Sequence, residues 1–274
     1  MSESTTYAVP PVERALKLLR HIGAGDPVIN VSRSAAALGI NRTTLIRLLH
    51  TLEAERFIEK RPGGVGWRLG IGAFAVAAEA LAQQDIVRVS TEVLQALVKE
   101  IGLSAHLAVL DELSIVYLLR LTPDMPLVSN VRVGSRLPAH ATNMGRAILA
   151  QLPEAKVRGL FAGVALEKVT AQTPTTVEAL LAQLAQDRAA GLAWSAGYFE
   201  TGVSSVAAPV FDATGHCAGA INVTGHADWF GDDQGRREAI GRSLARAAAE
   251  ISSRLGFNSK DRKAPWPASI SSAA

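Results

Sequence analysis

Apolar residues at Val12, Leu16, Leu19 and Ile22 recur at helical spacing, and Gly23 and Gly25 end that run. A short helix is predicted to follow, with Ser32 as its N-cap, Leu38 near its end and Gly39 as its break. Asn41 is placed to cap a longer helix from Arg42 to about Glu55, with Leu45 and Leu48 facing inward. Phe57–Lys60 and Trp67–Leu69 read as two short strands around the flexible tip Arg61–Gly66. Residues 71–84 are rich in Ala and Leu, with Phe74, Ala78 and Leu81 on one helical face.

Beyond this point helices and strands alternate less regularly. A helix is predicted over Val87–Ile101, then strands over Ala105–Leu110 and Ser114–Leu121 joined by the turn Asp111-Glu112-Leu113. An extended run, Leu127–Val133, leads into a loop from Gly134 to His140. Helices are predicted over Asn143–Gln151, Glu154–Ala162 and Val177–Ala190. The strands Val203–Phe211 and Cys217–Thr224 and a terminal helix, Gln234–Leu255, close the pattern. Antiparallel strands flanked by helices give an α+β domain of sensor type. The expected organisation is a first domain over 1–70, a linker helix over 71–85, a second domain over 86–257, and a disordered tail over 258–274.

The charge balance sharpens the reading of the first part. The whole chain carries a formal charge of only +3, yet its first 70 residues hold ten Lys or Arg against six Asp or Glu. Helix, Gly turn and helix within about twenty residues is the helix-turn-helix plan, whose second helix enters the major groove. Ala35 is small where the two helices must cross, and Arg42, Thr43, Thr44 and Arg47 lie on the outer part of the second helix. Arginine pairs with guanine edges, and hydroxyls reach bases or phosphates. The basic hairpin directly after that helix reads as a wing, carrying Arg61 and Arg68. With Ser32, Arg33 and Asn41 at the two helix starts, these residues form the candidate contact set for a double-stranded DNA operator.

Other functions fit poorly. Gly64-x-Gly66 lacks the preceding strand and following helix of a dinucleotide site. Gly215-His216-Cys217-Ala218-Gly219 imitates a nucleophile elbow, but a strand follows it where a helix is required, so an inert, buried Cys217 and no catalysis are expected. The six histidines show no ligand spacing, so neither metal nor cofactor is expected. A single cysteine, no secretory signal and no membrane-length apolar run point to a cytoplasmic protein without a membrane partner. A ligand-blind architectural DNA-binding protein is the main rival. The size of the second domain argues against it, because dimerisation alone needs far less chain.

The ordered series of local motifs resembles the IclR-type bacterial transcriptional regulators over about residues 10–255. It comprises Asn41-Arg42-Thr43-Thr44-Leu45-Ile46-Arg47-Leu48-Leu49, Trp67-Arg68-Leu69-Gly70, Val133 through Thr142, Gly145-Arg146-Ala147, and Gly202-Val203 ahead of Ala207 through Asp212. The resemblance implies a winged helix-turn-helix joined to a GAF/PAS-like effector domain, a dimer or dimer of dimers, and metabolite control of catabolic or stress genes, by repression or activation. It also implies an effector pocket built from the backbone at Asn143 and Met144, from Ser195 on to Val203 and Ser205, and from Asn222 and Thr224. Where relatives often carry acidic residues before the Gly-Val motif, this chain has Ser195-Ala196-Gly197-Tyr198. The expected pocket is therefore polar but uncharged, with Trp194, Tyr198 or Phe199 as an aromatic wall. It would take a compact effector bearing a hydroxyl, amide or carboxylate, and an aromatic compound fits the expectation.

Overall fold

The computed structural model describes residues 7–82, 85–123, 131–196, 202–230 and 234–258. They fall into two compact units, one up to Gln83 and one from Gln84.

The first unit runs α1 (Pro10–Gly23), α2 (Val31–Leu38), α3 (Arg42–Ala54), β1 (Ile58–Lys60), β2 (Trp67–Leu69) and α4 (Ile71–Ala82). Leu18 and Ile22 of α1, Ala35 of α2, and Leu45 and Leu49 of α3 close a core over Ile58 and Trp67. Leu18 rather than Leu19 is the fully buried position of α1, and Val12 and Leu16 are exposed. The N-cap of α2 is Asn30, whose side chain accepts from the Arg33 N–H at 3.0 Å, and not Ser32. The chain enters the helix two residues earlier than the sequence pattern indicated, so Ser32 already lies within its first turn. Gly39 adopts the left-handed conformation (φ 64°) that lets α2 stop and α3 turn away. β1 and β2 pair antiparallel, Ile58 opposite Leu69 and Lys60 opposite Trp67, to make the wing. Three helices followed by this hairpin form a winged helix-turn-helix.

The second unit opens with α5 (Asp85–Ile101), β3 (Ser104–Asp111), β4 (Ser114–Leu121), β5 (Arg136–Pro138) and α6 (Asn143–Leu149). It continues with α7 (Glu154–Leu160), α8 (Val177–Ala190), β6 (Ala193–Ala196), β7 (Val203–Phe211), β8 (Cys217–His226), α9 (Ala227–Phe230) and α10 (Gln234–Arg254). The six strands β3 to β8 form one sheet in the order β5-β4-β3-β8-β7-β6, with every neighbouring pair antiparallel. Of the two short edge strands, β5 lies within the expected loop Gly134–His140, and β6 lies where no element was predicted. Pro138 in β5 is tolerated because an edge strand needs no donor on its outer side. Most of the expected extended run Leu127–Val133 lies outside the described residues, as does the tail beyond residue 258.

Strand alternation divides the sheet chemically. Ala105 and Leu107 of β3, Val206, Ala208 and Val210 of β7, and Ile221 and Val223 of β8 face α5 and α10. The opposite face offers Ala108, Ala193, Ala207 and Ala220, all buried, to α6 and α8. These small residues let α6 lie close on the sheet. Gly145 lets α6 approach the loop that follows β5, since a Cβ there would collide with the Ala139 carbonyl oxygen. Further along that same face the alanines give way to polar side chains, and there the packing opens.

Candidate functional site

On the outer surface of α3, Arg42, Thr43, Ile46 and Arg47 are exposed and Thr44 is half-buried. Their spacing keeps them on one helical face. Asn41 fixes the start of that helix by accepting from the Thr44 N–H at 2.7 Å. Ser32 and Arg33 are exposed in the first turn of α2. In the wing, Arg68 is held by Glu59, 2.6 Å away and directly opposite it in register, and Lys60 lies 3.4 Å over the Trp67 ring. Arg61, at the wing tip, closes a turn with its backbone and projects in the exposed loop. Ile46 escaped the sequence reading. It is an exposed apolar residue between two arginines, of the kind that touches a thymine methyl group.

In the second unit, two cross-strand rows meet at the open end of the α6 face. Register places Ser195, Ser205, Thr224 and Ser104 side by side across four strands. The next row on that face runs Ala207, Asn222, His106 and Arg120. Between these rows, Thr142 and Asn143 at the start of α6, and Tyr117, Val131 and Leu137, lies a cavity of about 50 Å³. One water needs about 10–15 Å³ by the same measure, so the space suits a few waters or one compact organic molecule.

Of the seven residues expected at the effector site, Asn143, Ser195, Val203, Ser205, Asn222 and Thr224 line this cavity. Met144 does not. Its side chain is fully buried in the core between sheet and helices, and its N–H is taken by Asn143 Oδ1 at 2.8 Å. Gly145 N–H is likewise capped by Thr142 Oγ1, so these two amides of the helix start are already satisfied. Trp194 is no wall of the cavity either. Next to Ser195 in a strand, it must point to the other face, where its ring packs edge-on to Phe230. Tyr198 and Phe199 lie outside the described residues. His106 and Tyr117 were not foreseen. Their place depends on which strands become neighbours, which local pattern does not carry.

The lining is partly polar and, among the described residues, uncharged. Asn143 Nδ2 donates to Ser205 Oγ at 3.0 Å, and Asn222 Nδ2 donates to Asn143 Oδ1 at 3.4 Å. His106 Nδ1 lies 2.9 Å from Asn222 Oδ1. Burial, aided by the nearby Arg120 charge, lowers the His106 pKa to about 4, outweighing the hydrogen bond to Asn222, so the imidazole is neutral at pH 7. Burial also pushes the Tyr117 phenol well above its ordinary range, keeping it protonated.

Behind the cavity, Arg146 of α6 is fully buried, its Nε 3.2 Å from Asp187 Oδ2 on α8. The same guanidinium donates to the carbonyl oxygen of Trp194, the residue before Ser195. The cysteine is less hidden than expected. Cys217 is half-buried and follows the Asp212–Gly215 hairpin turn at the start of β8. Among the described residues, no group of three or more His, Cys, Asp or Glu could hold a metal ion, and no helix is long and apolar enough to cross a membrane.

Residues 78–253 match the family model for the bacterial transcriptional regulator IclR C-terminal domain, and residues 11–62 match that for the IclR helix-turn-helix domain. The chain belongs to the IclR family of transcriptional regulators. Among IclR-family relatives, it is 29% identical to the transcriptional regulator XynR of Escherichia coli K12, over 79% of this chain and 86% of that one. It is also 29% identical to the transcriptional repressor IclR of the same organism, over 92% of both chains. A crystal structure of an IclR-family regulator from Alicyclobacillus acidocaldarius superposes with a TM-score of 0.79 at 26% identity, covering 91% of this chain and 100% of that one. An IclR homologue from Microbacterium hydrocarbonoxydans, complexed with 4-hydroxybenzoate, gives a TM-score of 0.77 at 21% identity over 89% and 98% of the two chains. This is therefore a DNA-binding regulator with an effector-binding C-terminal domain, and it belongs to a family of regulators rather than enzymes.

Proposed function

We propose that this IclR-family protein controls a catabolic operon, and that a compact organic effector in the cavity between α6 and the sheet sets its affinity for the operator. The observation that carries the reading is the convergence of Asn143, Ser195, Ser205, Asn222 and Thr224, from four separate elements, on one partly open cavity of mixed polar and apolar lining. Hydroxyls and carboxamides in a half-apolar enclosure suit a small molecule with a hydroxyl, amide or carboxylate, and the Tyr117 ring favours an aromatic one. Operator contacts are assigned to Ser32, Arg33, Asn41, Arg42, Thr43, Thr44 and Arg47, with Arg61 and Arg68 on the flanking backbone. The working form is a dimer or dimer of dimers. Exposed Ile71, Phe74 and Val76 on α4 support that reading, since a two-fold protein reads two half-sites.

A thermal-shift panel of phenols, amides and aromatic acids, beginning with 4-hydroxybenzoate, tests the effector side. A ligand at a hundred times its Kd adds about 2.7 kcal/mol to the unit it binds. A clear rise confined to one chemical class, and lost in Ser205→Ala, is expected. An equal rise in Ser205→Ala contradicts the site.

A further inference from the structure

The hydrogen bonds around the cavity have only one consistent direction. A backbone N–H can only donate, so the Asn143 atom 2.8 Å from Met144 N is its carbonyl oxygen. The Asn143 amide nitrogen then donates to Ser205 Oγ, which keeps its own hydrogen to give elsewhere. Asn222 must present its amide nitrogen to the Asn143 oxygen, leaving its carbonyl oxygen toward His106 Nδ1. That nitrogen therefore carries the proton of the neutral ring, and Nε2 carries only a lone pair.

Nε2 is the unspent end of this chain. His106 is 1% exposed and lines the cavity, yet Nε2 is buried without a hydrogen-bond partner. A buried acceptor left in that state is destabilising until a donor reaches it. Among the described residues, no Lys, Arg, Asp or Glu lines the cavity, and Arg120, beside His106 in the cross-strand row, is not part of the lining. An anion placed here would lose its water and meet no cation among the described lining residues, Arg120 acting only from outside the lining.

We propose that His106 Nε2 is a hydrogen-bond acceptor reserved for the effector, which is an uncharged molecule donating an O–H or N–H to His106 and accepting the Ser205 hydroxyl. This rests on the assignment of the cavity as the effector site and narrows it. Neutral phenols, alcohols and amides are taken, and carboxylates are rejected. The low pKa of His106 agrees, because a protonated ring would offer a donor where the effector must find an acceptor.

The test uses the full-length protein and matched probes, with binding read by calorimetry. The neutral donors are 4-hydroxyacetophenone and 2-pyrrolidone. Their capped counterparts are 4-methoxyacetophenone and N-methyl-2-pyrrolidone, and the anion is 4-hydroxybenzoate. At least one neutral donor should bind, with its capped counterpart and the anion each at least tenfold weaker, and His106→Leu should erase that preference. Equal binding by capped or anionic probes overturns the inference. So does binding that ignores His106→Leu while Ser205→Ala weakens it, an outcome that leaves the cavity as the effector site. Indifference to both variants overturns the cavity assignment itself, and a panel without any binder overturns the proposed effector class. If the Leu variant fails to fold, the ¹⁵N spectrum of the wild-type histidine rings decides. An unprotonated Nε2 at pH 7 is expected for His106, and a protonated one overturns the assignment.

Discussion

Truncating Arg146 to Met removes the cation paired with the buried Asp187 carboxylate. Both side chains are nearly inaccessible, at 0% and 6% exposure, and 3.2 Å separates Nε from Oδ2. With an effective dielectric of about 20, that separation corresponds to an attraction of about 5 kcal/mol. Breaking one side of a buried pair typically costs about 3–5 kcal/mol, because the survivor keeps its desolvation penalty. Arg146→Met should therefore destabilise the C-terminal unit by about 3–5 kcal/mol in urea unfolding. Arg146→Met/Asp187→Leu should recover most of that loss. Acidity adds a second signature. Burial holds the Asp187 pKa above its ordinary value, against the opposing pull of Arg146 and the Gln183 hydrogen bond. A raised folded pKa gives stability present below the unfolded value of 3.8 and lost as pH rises through the folded one. Without Arg146 the folded value climbs further, so the deficit of the single variant should widen from mildly acid to neutral pH. A pH-independent deficit, or a double variant no better than the single one, would refute this reasoning. Because Arg146 also holds the Trp194 carbonyl, the single variant should bind effector more weakly through a displaced Ser195.

Other expectations follow from single contacts. Arg42→Ala and Arg47→Ala should each weaken specific DNA binding by about 1–3 kcal/mol if they touch bases, measured by fluorescence anisotropy at fixed salt, and unchanged affinity in both removes α3 from the operator. Asn41→Ala deletes an N-cap and should cost about 1 kcal/mol of N-terminal unit stability, with Asn41→Asp retaining most of it. Gly145→Ala would place a methyl group 2.1 Å from the Ala139 carbonyl oxygen, so α6 must shift and the melting temperature should fall by several degrees. An unaltered melting temperature would show that α6 does not approach that loop so closely.

Local pattern carried much of this molecule. The order of helices, the Gly39 turn and the wing follow from apolar spacing and cap residues. Alternation alone put Asn222 and Thr224 on one face, and the same parity rule, applied to adjacent Trp194 and Ser195, would have kept the tryptophan out of the pocket. Asn30 and Ser32 are both good caps, and which one serves depends on where the backbone turns into the helix. Strands β5 and β6 are too short for periodicity to mark, and a proline in β5 masks an edge position that tolerates it. His106 was the costliest omission. It sits among Ala and Leu in an evident strand, and only the pairing of β3 with β8 brings it to Asn222. Cross-strand register is a property of the assembled sheet, not of either strand.

The most direct test of the account is DNA affinity of the full-length protein on the sequence flanking its own gene, titrated with a compound that raises its melting temperature. Tight, salt-dependent binding whose strength changes on adding the compound is expected. In Ser205→Ala the ligand-free affinity should persist and the response to compound should disappear. Operator affinity that ignores every compound seated in the cavity would contradict it, leaving a DNA-binding protein whose second unit does not report to the first.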